Sequence, residues 1–357
     1  MPSLSMRRLL SDLHVAFIDC NTMVNVVRFI FLLAVMAVSA SCNSNKKAAS
    51  GDGEAVVTQP AGPAFSADSA YAFCAEQCGF GPRTMNSEGH ERCGEWIAGK
   101  FKAYGMAVTE QRVTLNGYDG TPLKATNIIA SYRPELAERI LLCAHWDTRP
   151  WADNDPDSAN WRKPVLGAND GASGVAVMLE VARLLHADTA KLAVGVDFVC
   201  FDAEDWGVPR WSDVADTGDS WALGAQHWSA NPHKEGYKAR FGILLDMVGG
   251  QGAQFWREGM SMQYAPDIVK KVWSAAEVVG FSSYFVDRDG GMVTDDHVPV
   301  NENAKIPTID VIAFYPDCTQ STFGPTWHTV SDDMEHIDRA TLGAVGQTVI
   351  QVLYSER

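Results

Sequence analysis

Acidic and histidine side chains stand directly after several short apolar runs of the sequence. The run at residues 141–144 is followed by His145 and Asp147. Three later runs are also followed by acids, which include Asp205, Asp246 and Asp310. Short apolar runs are typical of buried strands, and ligands of open α/β sheets gather at the carboxyl ends of the strands. We therefore expect these side chains to meet at one edge of a sheet.

Metal binding is the chemistry that suits this set of side chains best. Two more candidates stand outside the apolar runs, Asp170 in a glycine-rich string at residues 167–174 and His328 near the end of the chain. Zinc takes imidazole and carboxylate ligands, so the candidate ligands are His145, Asp170, Asp205, Asp246 and His328. Three ligands with one open position make a catalytic site, in which Glu204 would move the protons that a metal ion cannot.

Each of these residues also has an ordinary structural explanation. Asp170 would cap the helix that follows it, and His145 would be a core histidine bonded to Asp147. His328 would be a histidine in a loop. Their joint placement favours the metal site, because burying several unpaired carboxylates is costly and a bound cation removes that cost.

Helices and strands alternate along most of the chain, which predicts an α/β domain. Ser87 is placed to cap a helix that runs to about Tyr104. A helix with an apolar stripe from Val175 to Leu185 lies between two apolar runs, which predicts a βαβ unit. Further strands are predicted at residues 108–115, 127–132, 192–201, 241–245 and 308–312, and further helices at 226–230, 267–279 and around 342–352. We expect an open, mostly parallel mixed sheet flanked by helices, whose first strands pair antiparallel.

Two irregular segments lie beside the candidate site. Residues 148–164 are rich in Asp, Asn, Trp and Pro, and residues 206–221 carry three of the chain's eleven tryptophans. Loops this long inside a compact domain are usually either functional or disordered. We expect the second segment to be a loop shaped around a site.

The N-terminal segment has the composition of an export signal. Arg28 precedes an unbroken apolar run at residues 29–38, and small residues then lead to Cys42. This cysteine resembles the lipidated residue of bacterial lipoproteins, although Ser39 stands where such sites usually carry Leu or Val. We expect an exported, periplasmic protein that a lipid anchors to the membrane, and an uncleaved anchor helix is the alternative. The predicted divisions are a signal peptide, a flexible tether and a single catalytic domain at residues 1–41, 42–63 and 64–357.

The composition argues against a nucleic-acid partner. The chain of 357 residues has a formal charge of −15, whereas binding to phosphate backbones needs Lys and Arg along one face. With 46% hydrophobic residues it can bury a large core. We separately expect a monomer. Export permits disulfides, for which Cys78 and Cys93 are the preferred pair and Cys74 competes. Cys143 and Cys200 are predicted to be packed thiols.

Five strings that carry the candidate residues resemble, in order, the motifs of the M28 zinc aminopeptidase family. They are His145-Trp146-Asp147, Gly167-Ala168-Asn169-Asp170, Phe201-Asp202-Ala203-Glu204-Asp205, Leu245-Asp246-Met247-Val248-Gly249 and Trp327-His328-Thr329. The resemblance extends from about Gly79 to the end of the chain. It implies a zinc-aminopeptidase-like (phosphorylase/hydrolase-like) fold.

Other strings resemble the glutaminyl cyclase branch of that family. They are Phe80-Gly81-Pro82-Arg83, Asp295-Asp296-His297-Val298-Pro299 and the tryptophan before the last histidine, Trp327. The resemblance implies one zinc per chain, held by Asp170, Asp205 and His328. It also implies a proton-transfer network that comprises Glu204, Asp246 and Asp295. Asp205 stands where animal members carry Glu, and Asp310 stands where they carry His.

The reaction that this resemblance implies is the conversion of an N-terminal glutamine of a peptide or protein to pyroglutamate, with release of ammonia. Glu204 would take a proton from the substrate's α-amine and return it to the departing nitrogen, and the attacking amine belongs to the same molecule as the amide. Trp327, Phe323 and one of Trp206 or Trp211 are expected to wall the pocket against water.

Two alternatives to this enzyme stay open. An M28 aminopeptidase would bind two zincs, and His145 would then be a metal ligand. In the cyclase, His145 and Asp147 would instead shape the surroundings of a single zinc. A non-catalytic surface lipoprotein that binds peptides or glycans is disfavoured because Glu204 and the ligand set are intact.

Overall fold

An eight-stranded mixed sheet forms the centre of residues 59–357, the part of the chain that the computed structural model describes. The strands follow the order β1-β2-β4-β3-β5-β8-β6-β7. They are β1 (Ala107–Asn116), β2 (Pro122–Tyr132), β3 (Arg139–His145), β4 (Gly195–Phe201), β5 (Gly242–Asp246), β6 (Gln254–Arg257), β7 (Phe285–Asp289) and β8 (Thr308–Phe314). The four central strands, β4, β3, β5 and β8, are parallel, which confirms the predicted α/β class.

Helices pack against this sheet. They are α1 (Ala67–Cys78), α2 (Glu88–Ala103), α3 (Ala172–Ala187), α4 (Leu223–Ala230), α5 (Gly259–Tyr264), α6 (Pro266–Val278), α7 (His297–Pro299) and α8 (Arg339–Ser355). Ser87 caps α2 as predicted, because its side chain accepts the backbone N–H of His90 at 3.1 Å. Every residue of β3, β4 and β5 is buried, as expected for central strands that helices cover on both faces.

The predicted βαβ unit is present, since β3, α3 and β4 follow one another and β3 pairs with β4 in parallel. The first strands pair differently from the expectation. β1 and β2 are antiparallel, but β2 then pairs with β4 and not with β3. The third strand therefore lies inside the sheet, which places the carboxyl end of β3 between the ends of β4 and β5.

The predicted signal peptide and Cys42 lie outside the described residues. The end of the predicted tether, from residue 59, lies against α8, where Ala61 donates its backbone N–H to Gln351 Oε1 at 2.6 Å. None of the helices within residues 59–357 is long and apolar enough to cross a membrane.

The six cysteines of the described residues are free thiols, so the preferred Cys78–Cys93 disulfide is not formed in this structure. Cys74 instead lies beside Cys78, one turn away on α1, and its thiol donates to the Ala168 carbonyl at 2.9 Å. Cys143 and Cys200 are fully buried in β3 and β4, which confirms the prediction of packed thiols.

Candidate metal centre and active site

The carboxyl ends of the central strands bring the predicted ligands together. β3 ends at His145, β5 ends at Asp246, and the turn after β4 carries Asp205. Two groups of three residues each have ligand atoms within 4.8 Å of one another, namely Asp170, Asp205 and His328, and His145, Asp170 and Asp246. Asp170 belongs to both groups. All five candidates from the sequence therefore meet at one place.

The distances within these groups suit a bound cation. His328 Nε2 lies 3.2 Å from Asp205 Oδ1 and 3.5 Å from Asp170 Oδ2. His145 Nε2 lies 3.0 Å from Asp170 Oδ1 and 3.3 Å from Asp246 Oδ1. Apart from the facing His328 ring, both carboxylate oxygens of Asp205 lack a hydrogen-bond partner among the described residues, and both are buried. Buried carboxylates without partners are costly, and a metal ion is the partner that this donor set fits.

The backbone around the ligands is unusual. Ala203, Met247 and His328 have φ values of 55°, 48° and 53°, in the left-handed region that residues other than glycine rarely adopt. Ala203 directly precedes Glu204, and Met247 directly follows Asp246. Such conformations each cost of order 1–3 kcal/mol and cluster at functional sites.

Asp170 does not have the capping role that its position allowed. The residue that begins α3 is Gly171, and that terminus lacks a side-chain capping bond among the described residues. Gly171 has a φ of 99°, and a Cβ there would lie 2.6 Å from the Asp147 carbonyl oxygen. The glycine lets the chain turn so that the Asp170 side chain points at the two histidines.

Asp332 is a contributor that the sequence did not reveal. Its carboxylate accepts the backbone N–H groups of Asn169 at 2.8 Å and Asp170 at 3.0 Å. Burial raises the pKa of Asp332 to about 7. Because it stands in a loop and follows no apolar run, the pattern of strand ends could not predict it.

A cavity of about 390 Å³ opens onto the ligand groups. Its walls include the predicted residues Glu204, Asp246, Asp295, Phe323 and Trp327, together with Asp170 and His328. Trp327 stacks on the His328 ring, with 3.9 Å between the ring centroids.

One predicted pocket wall lies elsewhere. Trp206 packs in a separate cluster with Val113, Leu115 and Leu223, and it lies outside the cavity. Trp221, at the other end of the same insertion, lines the cavity in its place. Its ring is parallel to that of His328, with 6.0 Å between centroids. The number of tryptophans in the insertion was informative, but the path of the loop decides which one faces the cavity.

Burial dominates the electrostatics of the cavity. It raises the pKa of Glu204 well above its usual range, with His145 opposing the shift and Asp205 adding to it. Burial also raises the pKa of Asp246 to about 7. A carboxyl group whose pKa is raised toward neutrality can both accept and return a proton. The arrangement therefore supplies a proton carrier beside a metal-binding group.

A second buried cluster adjoins Asp295. Asp295, His297 and Asp310 have ligand-capable atoms within 4.8 Å of one another. His297 Nε2 also lies 3.3 Å from Glu258 Oε2. Burial raises the pKa of Asp310 well above its usual range, and the nearby Asp295 adds to this shift. Asp310 therefore lies next to Asp295, at the position for which the resemblance gave a histidine in animal members.

Several known proteins resemble this chain in sequence and structure. Residues 127–353 match the model of peptidase family M28. The structure of Bacteroides thetaiotaomicron glutaminyl cyclase bound to N-acetylhistamine is 52% identical, with a TM-score of 0.81, over 83% of this chain and 100% of that one. Tannerella forsythia glutaminyl cyclase is 49% identical, with a TM-score of 0.80, over 83% and 100% of the two chains. The structure of a leucine aminopeptidase precursor from Bacteroides thetaiotaomicron is 52% identical, with a TM-score of 0.79, over 83% and 99%.

More distant relatives include both enzyme classes. Aminopeptidase YwaD of Bacillus subtilis is 28% identical over 285 residues, which is 76% of this chain and 54% of that protein. The glutaminyl-peptide cyclotransferase of Gloydius blomhoffii is 25% identical over 258 residues, which is 65% of each chain. This chain thus spans about half to two thirds of the length of these curated relatives.

Proposed function

The chain belongs to peptidase family M28, and on that premise we propose that it is a zinc-dependent glutaminyl-peptide cyclotransferase, which converts N-terminal glutamine of peptides or proteins to pyroglutamate and releases ammonia. One observation carries the proposal. Glu204 shares a cavity with Asp170, His328 and Trp327, in a chain that is 52% identical to a bacterial glutaminyl cyclase along that enzyme's whole length.

The proposed metal ligands are Asp170, Asp205 and His328, which would hold one zinc per chain. Two observations support the assignment. The buried carboxylate oxygens of Asp205 have no hydrogen-bond partner in the described part of the chain apart from the facing His328 ring, and the ligand atoms of the three residues lie within 4.8 Å of one another. Zinc, when bound, would polarise the carbonyl of the substrate's γ-amide and stabilise the negative charge that develops on its oxygen.

Proton transfer is assigned to Glu204. It takes a proton from the substrate's α-amine, which then attacks the carbonyl carbon (Cδ) of the side-chain amide of the same residue and closes the five-membered lactam as the bond from Cδ to the amide nitrogen breaks. Glu204 returns the proton to the departing nitrogen, so ammonia leaves as a neutral molecule. Asp246 and Asp295 line the same cavity, and we assign them to the hydrogen-bonding network around the amine.

Water must be excluded, because hydrolysis of the amide competes with cyclisation. The walls of the cavity suit this requirement. Trp327, Trp221 and Phe323 line it, and Phe323 packs against Trp327 at 5.0 Å between ring centroids. We assign substrate binding to these three aromatic residues.

An M28 aminopeptidase is the second candidate, and one observation favours it. His145, Asp170 and Asp246 form a second group that would accept a metal ion, next to the first. Two metal ions close together are the arrangement of many aminopeptidases. The number of zinc ions per chain therefore separates the two candidates.

The deciding experiment uses the purified protein, zinc, and a peptide that begins with glutamine. We expect the peptide to lose the mass of ammonia without becoming shorter, and free ammonia to appear in equal amount. Release of a free N-terminal residue would instead identify a peptidase. Metal analysis of the same preparation should give one tightly bound zinc per chain, and two would favour the peptidase.

We also propose that the protein is exported and anchored to a membrane through lipidated Cys42, and that it acts as a monomer on peptide or protein N-termini. The apolar run at residues 29–38 and the small residues before Cys42 support export. Metabolic labelling with a radioactive fatty acid should mark the wild type and leave the variant Cys42→Ser unlabelled. Equal labelling of the two would rule out this anchor.

A further inference from the structure

Arg149 is a buried cation beside the proposed metal ligands. It stands four residues after β3, in the polar segment at residues 148–164, and its exposed fraction is 1%. Its guanidinium donates to the backbone carbonyls of Asp205 and Gly207, each at 3.1 Å, and Nη1 lies 3.8 Å from Asp205 Oδ1. The side chain thus holds the chain at the residue whose carboxylate is a proposed ligand.

Asp153 is the partner of Arg149 and connects it to a second ligand. The guanidinium donates to both oxygens of the Asp153 carboxylate, from Nε at 3.1 Å and from Nη2 at 2.7 Å. Asp153 Oδ1 lies 3.6 Å from Nδ1 of His328. The other ring nitrogen of His328 faces Asp170 and Asp205. One ion pair therefore reaches two of the three proposed ligands.

We propose that Arg149 and Asp153 form a positioning pair that fixes the orientation of His328 and Asp205 for metal binding. A histidine that binds a metal through one nitrogen usually gives its other N–H to a carboxylate or carbonyl, which fixes the tautomer and the ring plane. Asp153 is the carboxylate on that side of His328. Arg149 in turn fixes Asp153, because two parallel bonds allow a single orientation.

Trp221 closes this arrangement from the solvent side. Its ring lies over the Arg149 guanidinium, with 4.5 Å from the guanidinium carbon to the ring centroid. The ring also lies parallel to that of His328. Because the ion pair is excluded from water, its bonds are stronger and more directional than those of an exposed pair. The two irregular loops thus meet around the metal ligands, one bringing the ion pair and the other its cover.

The inference rests on the metal site of the proposed function but not on the reaction catalysed there. Its test therefore measures binding of zinc alone, by competition with a chromophoric chelator. Asp153→Asn should weaken zinc binding by about 10–100-fold. The matched control is Asp157→Asn, which removes a carboxylate from an exposed position of the same loop. It should bind zinc as the wild type does.

Two further measurements separate positioning from a purely structural role. The absorption spectrum of the fully cobalt-loaded Asp153→Asn protein should differ from that of the wild type, because the ligand geometry has changed. The thermal midpoints of metal-free Asp153→Asn and wild-type protein are compared in parallel, to establish whether the variant is folded. A loss of zinc affinity without a change in the cobalt spectrum would overturn the proposal.

A variant with the charge retained covers the case in which Asp153→Asn does not fold. Arg149→Lys keeps a cation but loses the paired bonds to Asp153, so zinc affinity should fall by about tenfold. Its control is Arg162→Lys, at an exposed arginine that lies over Trp211 in the same region. Wild-type zinc affinity in folded Asp153→Asn, or in Arg149→Lys where the former does not fold, overturns the proposal. A wild-type protein that binds no zinc would instead refute the proposed function.

Discussion

The carboxylate of Asp147 accepts the backbone N–H of Glu204 at 3.0 Å. Its second oxygen accepts the backbone N–H of Asp205 at 3.2 Å. Asp147 follows β3, whereas the two N–H donors follow β4, so one side chain joins the ends of two strands. Asp147 thus fixes the backbone of Glu204, the proposed proton carrier, and of Asp205, a proposed ligand.

Asp147→Asn tests this relationship. The amide group places a donor against an N–H, which leaves one buried backbone group without a partner at a cost of about 1–3 kcal/mol. We expect kcat to fall about tenfold or more while the protein still folds, as measured by urea unfolding and a cyclisation assay. Asp119→Asn, in an exposed turn where the carboxylate accepts the Thr121 N–H, serves as the control and should retain activity. Unchanged kcat in Asp147→Asn would contradict the role of this contact.

Glu204→Gln should abolish most turnover without loss of the metal. General acid–base groups contribute about 10²–10⁴-fold to rates, and the amide cannot carry the proton. Kinetics on a peptide with N-terminal glutamine, together with zinc analysis of the same variant, checks both parts. Normal turnover with zinc bound would mean that another residue moves the proton.

Two variants, Trp221→Ala and Trp206→Ala, should distinguish a tryptophan that lines the substrate pocket from one that only packs within the fold. Loss of the Trp221 wall should raise KM by about tenfold, which corresponds to about 1.4 kcal/mol of substrate binding. Trp206 packs with Val113 and Leu115 outside the cavity, so its loss should lower the free energy of unfolding and leave KM unchanged. The reverse pattern of KM values would place the substrate against Trp206.

Glu258→Gln should destabilise the protein in a pH-dependent way. Burial opposes ionisation of Glu258, but His297 and the backbone N–H groups of Met260 and Ser261 lower its pKa to about 2. A lowered pKa means that the carboxylate stabilises the fold fully above its unfolded value of about 4.3 and loses this effect as the pH falls toward 2. We expect a difference of about 3 kcal/mol at neutral pH, which shrinks below pH of about 4.3.

Urea unfolding of the wild type and Glu258→Gln, across the pH range in which both unfold cooperatively, measures this difference. Glu302→Gln is the control, since Glu302 is exposed and accepts the Tyr264 hydroxyl. If the difference in the free energy of unfolding between the wild type and Glu258→Gln stays constant below pH of about 4.3, His297 does not stabilise the ionised form of Glu258.

Thiol labelling tests the cysteine assignments. Cys143 and Cys200 are fully buried, and burial raises the pKa of Cys93 to about 12, so these three should react with iodoacetamide only after denaturation. Cys318 is half-buried and should be labelled in the native protein. Peptide mapping without a reducing agent should find Cys78 as a thiol. A disulfide-linked peptide pair that contains Cys78 and Cys93 would contradict this.

The strand ends of the site were predictable because strands that are buried on both faces have unbroken apolar sequences. β3, β5 and β8 were found this way, and so were His145 and Asp246 at their ends. β6 and β7 were missed, since they are short strands of four and five residues with mixed burial at one side of the sheet. A short run of mixed character carries little signal above that of a loop.

The loop residues of the site depend on the path of the chain through space. Arg149, Asp153 and Asp332 follow no apolar run and have no helical or strand spacing, so the sequence could not show that they meet the proposed ligands in the folded chain. The sequence did predict that the second irregular loop would be shaped around the site. It could not tell which tryptophan of the second loop would turn inward, because that choice depends on the packing of Trp206 against β1 and Trp221 against Arg149.

The sharing of Asp170 between the two ligand groups has an evolutionary consequence. A protein that already holds all five candidate ligands need not acquire a new one to change between transfer to a substrate's own amine and transfer to water. Divergence between the two chemistries can therefore proceed through changes in the surrounding loops, with the strand ends preserved. For directed evolution, libraries aimed at a new substrate belong in the insertion that carries Trp221, and the residues at the ends of β3 and β5 are best left unchanged.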